Sequence, residues 1–433
     1  MHTTARLALW LACTVLPPLA SASYEVKLAP GARQLTLSLA LPPGARAGVR
    51  LAPRGAAWGL KPQVEDVRCA GRPLPQDAEG HWLAPASCTR VTWRVVPDAV
   101  SADGADASEQ RTLAIAKRRW VLLAEPTALL RPQGVDAAST LRAAKGSVEL
   151  LGATPMGRGG WRVPPGNSAP EFYVLGRAQV VSRQQGAFAV RYVADDPELV
   201  KQLNLQALHA AALAQLVRVV PLPPATSPAD RSLLVVWLGV AASRGSAGGA
   251  AGSRSFVANY VRGEPADAAR HAALTLGVAA HEQFHQLVEL FRNRHPATSS
   301  AVWFDESLAH FYGLKALRAA DKSRDAQALW ARSVDLQRPV EHGLLELHRR
   351  HEAGDASVYE SFYSQGAAFW HAVDTAISAA TQGQQSLDDH LGDVLRAPLS
   401  SDGALPESLV QRLRAVAGPA IDDALTRYVT GPR

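Results

Sequence analysis

The sequence predicts an α+β protein: an all-β amino-terminal domain, then a mixed sheet region, then a mostly helical lobe. Between residues 23 and about 169, short alternating or β-branched runs are separated by proline and glycine, the pattern of half-buried strands. From about residue 265, apolar residues recur at three- and four-residue spacing, the pattern of helices. We therefore expect an amino-terminal β domain at 23–168 and a second domain at 169–433, whose helical lobe begins near residue 321.

The first 22 residues have the pattern of a signal peptide. Arg6 provides the positive start, residues 7–20 are mostly apolar, and the small residues 20–22 (ASA) form a cleavage pattern. A retained membrane anchor is the alternative, but the run is short and broken by two prolines, and no later stretch is long and apolar enough to span a bilayer. We predict cleavage after Ala22, a secreted or periplasmic location, and no stable membrane insertion afterwards.

Cysteine usage and charge agree with export and give no indication of a nucleic-acid partner. Of the three cysteines, Cys13 lies in the signal segment, where lipid attachment is an alternative use. Cys69 and Cys88 remain as an even pair, so a disulfide is expected. The net charge of +6 is small for 433 residues, and the basic residues are scattered.

The local patterns predict the following elements in chain order. In the first part, strands are expected at residues 24–28, 34–41, 91–96 and 120–124, followed by a linker at 163–170. Next come strands at 172–181 and 187–193, a helix at 197–219, a buried strand at 233–238, a loop at 243–255 and a strand at 256–261. A long helix begins near residue 265, and further helices are expected at 304–320, 325–335, 338–351, 357–380, 387–396, 406–417 and 419–429.

The segment 281–285 (HEQFH) on this long helix supplies parts of a catalytic zinc site. His281 and His285, four residues apart, lie on one helix face, so both imidazoles can reach a single metal ion. Glu282 between them can take a proton from a water molecule at the metal. Two such histidines can also arise by chance and merely form hydrogen bonds, but burying all three groups in an apolar helix favours a metal.

Glu306 is the best candidate for a third ligand. It opens the next predicted helix, which can pack across the first and direct a carboxylate at the metal. The alternative is that Asp305 and Glu306 are first-turn acids that interact with the helix dipole. His295 and His310 are additional candidates, each also explained as a surface or packing histidine.

The segment 303–309 (WFDESLA) after the histidine pair resembles the gluzincin metallopeptidases, and most of all the glycyl aminopeptidase family. Segment 362–366 (FYSQG) resembles the family's Tyr-x-Lys-Gly segment, which implies that Tyr363 donates a hydrogen bond to the oxyanion of the tetrahedral intermediate. Together with segments 385–389 and 421–431, the resemblance covers roughly residues 170–433. It implies a thermolysin-like catalytic domain, a Zn²⁺ cofactor and a peptide or protein substrate.

The sequence departs from that family at several positions. In the family, a Gly-Gly-aliphatic-Glu segment supplies a glutamate that holds the substrate's free amino group, whereas segment 248–253 (GGAAGS) contains no acid. Ser307 replaces the usual glycine after the third ligand, and Gln365 replaces the usual lysine. Glycyl aminopeptidase relatives commonly continue into a PDZ domain, which we do not expect here.

The leading hypothesis is peptide-bond hydrolysis. Removal of residues from the amino end of the substrate, as by an aminopeptidase, is one form of this hypothesis. His281, His285 and Glu306 hold the zinc, Glu282 is the general base, and Tyr363 shares the oxyanion with the metal. One alternative is a zinc-containing but non-catalytic protein that binds peptides or other partners in the same cleft. Another is a purely structural zinc site or a metal-free helical domain. The sequence does not address the oligomeric state.

Overall fold

In a computed structural model of the chain, residues 22–431 are described apart from 30, 32, 42–47, 135–137, 158, 245–247, 264 and 293–299. The predicted signal peptide therefore lies outside the described residues except for Ala22, which is buried next to the first strand. Among the helices of the described residues, none has both the length and the apolar character needed to cross a membrane.

The amino-terminal part is rich in short strands. They are β1 (Ser23–Lys27), β2 (Leu35–Ala40), β3 (Val49–Pro53), β4 (Val64–Cys69), β5 (Arg72–Pro73), β6 (Trp82–Ala84), β7 (Arg90–Val95), β8 (Asp98–Ala99), β9 (Leu113–Ile115), β10 (Trp120–Ala124), β11 (Leu130–Pro132), β12 (Ser139–Ala143), β13 (Leu150–Leu151), β14 (Pro155–Met156) and β15 (Gly160–Val163), with a short helix α1 (Glu125–Ala128) after β10. Most join a sheet of order β14-β15-β12-β1-β2-β7-β4-β5, and β11-β3-β6 form a smaller one. Alternate residues of β2, namely Leu35, Leu37 and Leu39, enter the core between the sheets, as the two-residue period of a strand requires. The disulfide between Cys69 and Cys88 is present, which confirms that prediction.

A buried ion-pair network holds the predicted linker against the amino-terminal part. The carboxylate of Glu125 accepts hydrogen bonds from Arg54 at 3.0 Å and Arg131 at 2.7 Å. The same two arginines donate to the carbonyl oxygens of Pro165 and Pro164. Two buried guanidinium groups therefore satisfy linker carbonyls as well as a buried acid, which fixes this segment in place.

The strand after the linker continues the amino-terminal sheet system. Strand β16 (Phe172–Gly176) pairs antiparallel with β10 and completes a sheet of order β13-β16-β10-β9-β8. Hydrogen bonding thus crosses the predicted boundary at residue 168, and the division into domains remains a prediction.

A five-stranded mixed sheet forms the centre of the second part. It contains β17 (Val180–Gln185), β18 (Phe188–Ala194), β19 (Ser232–Ala241), β20 (Gly249–Ala251) and β21 (Ser255–Arg262), in the order β17-β18-β19-β21-β20. Strand β19 is buried along almost its whole length because both of its faces are covered, and its sequence from Leu233 onward is correspondingly apolar. Leu234 and Val236 pack toward β10 and β16, whereas Val235 and Trp237 pack toward the helices.

The remaining chain is helical. The helices are α2 (Pro197–Gln202), α3 (Leu205–Val219), α4 (Ala268–Arg292), α5 (Val302–Ala320), α6 (Arg324–Ser333), α7 (Leu344–Glu352), α8 (Tyr359–Ala380), α9 (Leu387–Arg396), α10 (Glu407–Ala417) and α11 (Ala420–Ala424), followed by a π-helix (Leu425–Thr430). Helix α4 packs on β20 and β21, and α5 lies between α4 and α8. The predicted α+β class, with a β-rich amino-terminal part and a helical carboxyl-terminal region, is confirmed.

Several predicted elements were wrong in detail. The helix expected at 197–219 is two helices, because Asn204 adopts a left-handed backbone with φ of 55°. The strand expected at 172–181 is divided between two sheets, and its first half ends at Gly176, where φ is 108°. The loop expected at 243–255 contains β20, since pairing with β21 overrides the weak strand preference of glycine and alanine. The helix expected at 338–351 begins only at Leu344.

Candidate functional site

Helix α4 places both predicted histidines beside the edge of the central sheet. The Nε2 atoms of His281 and His285 lie 3.0 Å apart, and their ring centroids lie 4.6 Å apart. His281 is 7% exposed, so the pair opens to solvent mainly through His285. The one-turn spacing therefore directs both Nε2 atoms at the same point.

Helix α5 brings the carboxylate of Glu306 to these histidines. Its Oε2 atom lies 3.1 Å from His281 Nε2 and 3.5 Å from His285 Nε2. The helices can approach this closely because Gly313 of α5 faces the backbone of His281, and a Cβ at Gly313 would lie 2.7 Å from the His281 nitrogen. One ligand atom from each of the three residues falls within 4.8 Å of the others.

The chemistry of this donor set fits a divalent cation such as Zn²⁺. The buried Oε2 atom of Glu306 has no hydrogen-bond partner among the described residues, although two imidazole nitrogens face it. Burial disfavours charge on both groups, yet their mutual attraction holds the pKa of Glu306 well below its usual value and raises the pKa of His285 to about 9. The Glu306 carboxylate thus favours positive charge at this point, and two nitrogen ligands with one oxygen ligand suit zinc.

Glu282 lies between the histidines and the edge strand β20. It is 9% exposed, and burial raises the pKa of its carboxyl group. The nearby backbone of Ala251 partly offsets this rise in the pKa. A Cβ at Gly249 would lie 2.5 Å from Glu282 Oε1, so glycine leaves room for this carboxylate beside the strand.

Helix α8 places two tyrosines at the site. The ring centroid of Tyr363 lies 5.4 Å from that of His281 and 5.3 Å from that of His310. One turn earlier, the hydroxyl of Tyr359 donates to Glu306 Oε1 at 3.0 Å. Burial raises the pKa of both phenols, so both are hydrogen-bond donors at neutral pH.

The two substituted positions, Ser307 and Gln365, hold the helices together. Gly366 of α8 meets Ser307 of α5 where the helices cross, and a Cβ there would overlap the serine side chain. The Ser307 hydroxyl accepts from Trp370 Nε1 at 2.7 Å. Gln365 donates to the carbonyl oxygens of His342 and Tyr428, each at 2.9 Å, which ties α8 to the end of the chain.

The other candidates from the sequence lie outside the donor set. Asp305, in the first turn of α5, forms a bidentate ion pair with Arg292 at the end of α4. The ring centroid of His310 is 6.0 Å from that of His281, and burial lowers the pKa of its imidazole to about 3. His295 falls outside the described residues.

Comparison with solved structures finds the same architecture in another protein. An aminopeptidase N family protein from Idiomarina loihiensis matches with a TM-score of 0.69 and 14% identity, over 95% of this chain and 76% of its own. This chain shares its fold. Aminopeptidase A from Legionella pneumophila, solved in complex with aspartic acid, matches with a TM-score of 0.44 and 11% identity, over 95% of this chain and 49% of its own. No protein-family profile matches the sequence, and neither does any curated protein.

Sequence reasoning missed Tyr359 and the two glycines that border the site. Tyr359 precedes Tyr363 by four residues, so a shared helix face was the available signal. Gly249 and Gly313 gave no local signal, because their importance depends on which atoms lie opposite them: the Glu282 side chain for Gly249 and the His281 backbone for Gly313.

Proposed function

We propose that the protein is an exported zinc metallopeptidase that hydrolyses peptide bonds. The observation that carries this proposal is the cluster of His281, His285 and Glu306 donor atoms within 4.8 Å, directly beside the buried carboxylate of Glu282. The disulfide supports export, since such bonds persist in oxidising compartments. The shared fold with an aminopeptidase N family protein makes a peptide substrate reasonable.

The edge strand β20 offers a place for an extended substrate. Gly252 and Gly248 form the hydrogen bonds of the hairpin with β21, with distances of 2.8 Å to Ser255 and Asn259. Because bonded and free positions alternate along an antiparallel strand, the backbone groups of Gly249 and Ala251 point to the free edge. A peptide added at this edge would run past Glu282 and be held by main-chain hydrogen bonds.

The reaction assigns one task to each side chain. His281, His285 and Glu306 would hold a zinc ion, which would supply Lewis acidity toward water and the scissile carbonyl. Glu282 accepts the proton that the attacking water loses and passes it to the amide nitrogen as the carbon–nitrogen bond breaks. Tyr363 donates to the oxygen that becomes negative during attack. The products are a new carboxyl group and a new amino group.

The sequence beside Glu282 favours cleavage within a peptide over removal of its first residue. In the resembled family an acid at this strand holds the free amino group, whereas segment 248–253 contains only glycine, alanine and serine. An endopeptidase cleaves amino-acetylated and free peptides alike, while an aminopeptidase requires the free amine. A mixed library of both kinds, analysed for new termini, distinguishes these two forms of the proposal.

The decisive test removes the proposed base and keeps the metal ligands. Glu282→Gln should retain stoichiometric zinc while peptide turnover falls by about 10²- to 10⁴-fold, the usual contribution of a general base. The matched control is Glu289→Gln, the same change two turns along α4, which should leave turnover unchanged. Chelation should abolish wild-type turnover, and added zinc should restore it. Full activity in Glu282→Gln would exclude this mechanism.

The non-catalytic alternative has its own outcome in the same experiment. Wild-type protein that holds one zinc ion but cleaves no member of the library would favour a binding role. Protein that purifies without zinc and does not take it up would exclude both.

A further inference from the structure

Glu306 uses its two carboxylate oxygens differently, and this asymmetry involves a tyrosine that the proposed reaction does not require. Oε2 faces the Nε2 atoms of His281 and His285 and accepts no hydrogen bond from any residue that the structure describes. Oε1 accepts a hydrogen bond from the hydroxyl of Tyr359 at 3.0 Å. One oxygen is therefore free for a metal, and the other is already engaged.

We infer that Tyr359 is a positioning residue that holds the Glu306 carboxylate so that a single oxygen, Oε2, is offered to the metal. This inference rests on the proposed zinc site. A carboxylate can bind a cation through one or both oxygens, and a phenol hydrogen bond to one oxygen favours the first mode. It also fixes the rotation of the carboxylate, which otherwise turns freely about its last bond.

The surroundings of Tyr359 hold its hydroxyl in place. The residue opens α8, and its ring lies 5.4 Å from the ring of His351 on α7 and 5.8 Å from that of Phe362, measured between centroids. The turn before it is closed by Asp355, which caps Ser357 and pairs with Arg350 at 2.7 Å. Contacts from two helices and a capped turn therefore restrict where the hydroxyl can lie.

Tyr359 and Tyr363 have separate places at the site. The ring of Tyr363 lies against the rings of His281 and His310. Tyr359 instead contacts the ligand Glu306 itself. The rings of the two tyrosines also contact each other, with centroids 5.5 Å apart.

The experiment measures zinc affinity, because activity alone cannot separate the two tyrosines. Tyr359→Phe keeps the ring and its packing and removes only the hydroxyl. Its zinc dissociation constant, obtained by competition with a chelator, should rise about 10- to 100-fold, the usual effect of losing a partner of a metal ligand. The matched control Tyr363→Phe should keep wild-type zinc affinity while losing turnover.

A spectroscopic readout identifies the cause. With Co²⁺ in place of zinc, the visible absorption of Tyr359→Phe should weaken and shift, because the released Oε1 can join the coordination shell and raise the coordination number. The spectrum of Tyr363→Phe should match that of the wild type. Metal-free Tyr359→Phe should unfold at the same denaturant concentration as the metal-free wild type, which excludes a general loss of packing.

The experiment distinguishes failure of the positioning role of Tyr359 from failure of the proposed zinc site. If the wild type binds one zinc ion and Tyr359→Phe shows the same affinity and the same Co²⁺ spectrum, the positioning role is overturned and the proposed peptidase stands. If the wild type binds no zinc, the proposed function fails, and the inference fails with it.

Discussion

The closest backbone approach at the site, between Gly313 on α5 and His281 on α4, leads to a quantitative prediction. A Cβ at position 313 would lie 2.7 Å from the His281 nitrogen, 3.0 Å from its Cα and 3.1 Å from the carbonyl carbon of Ala280. All three neighbours are backbone atoms, so no side-chain rotation can relieve the overlap. Gly313→Ala must therefore separate the two helices.

The size of the effect follows from these distances. Restoring ordinary contact requires a shift of about 0.8 Å. Overpacking of this kind costs roughly 2–3 kcal/mol, and the better helix propensity of alanine returns about 1 kcal/mol, which leaves a net loss of roughly 1–2 kcal/mol. The same shift moves His281 relative to Glu306 by more than the ~0.2 Å tolerance of metal–ligand distances, so zinc affinity should also fall.

Gly277→Ala on α4 is the matched control. Its Cβ would lie 3.3 Å from the terminal Cδ2 of Leu329, with the next neighbours at 3.9 Å, and a leucine methyl can move. The same methyl addition should therefore stabilise the protein by up to about 1 kcal/mol and leave zinc affinity unchanged. Denaturant unfolding of the metal-free proteins and zinc competition measure both quantities. If Gly313→Ala gained stability as Gly277→Ala does, the close approach of α4 and α5 would be refuted.

Two further predictions concern groups away from the site. Burial lowers the pKa of His209 from 6.5 to about 4, so the unfolded chain binds more protons between these values. The free energy of unfolding should fall by roughly 3 kcal/mol as the pH drops through this range. The variant His209→Phe should lack that part of the loss when urea unfolding is measured at pH 7, 5.5 and 4.5. If the variant kept the wild-type pH profile, the assignment to His209 would be contradicted. Cys69 and Cys88 are 19 residues apart, and replacing both by serine should lower the free energy of unfolding by about 3 kcal/mol. Zinc affinity should not change. A loss of zinc binding would instead show that the β-rich part supports the site.

The fold could be predicted where a sequence pattern reflects a single local period. Helix α4 was found because its buried face repeats every three to four residues, and β19 because an apolar run of that length suits a strand buried on both faces. The break at Asn204 was missed because apolar residues are frequent on both sides of it and hide the change of phase. Strand β20 was missed since its residues are glycine and alanine, and only pairing with β21 makes it a strand.

The candidate site likewise contains residues that a local sequence pattern indicates and a residue that no local pattern indicates. The sequence predicts His281, Glu282 and His285 from one turn of helix, and Glu306 from its place near the start of the next predicted helix. Tyr359 could not be assigned because its hydrogen bond to Glu306 spans 53 residues and depends on how α8 crosses α5. A sequence contains no direct record of such a crossing.

Close approaches of three glycines around the site help to explain which departures from the resembled family the fold can accommodate. Three close approaches set the geometry: Gly313 at His281, Gly366 at Ser307, and Gly249 at Glu282. Serine is tolerated at 307 because Gly366 leaves room for it and Trp370 donates to its hydroxyl. In strand β20, by contrast, glycine and alanine stand where the resembled family has a glutamate. The backbone of the strand still lies next to Glu282. We therefore expect the proposed peptidase to differ from that family in the substrates it selects, while the side chains proposed to act on the peptide bond remain in place.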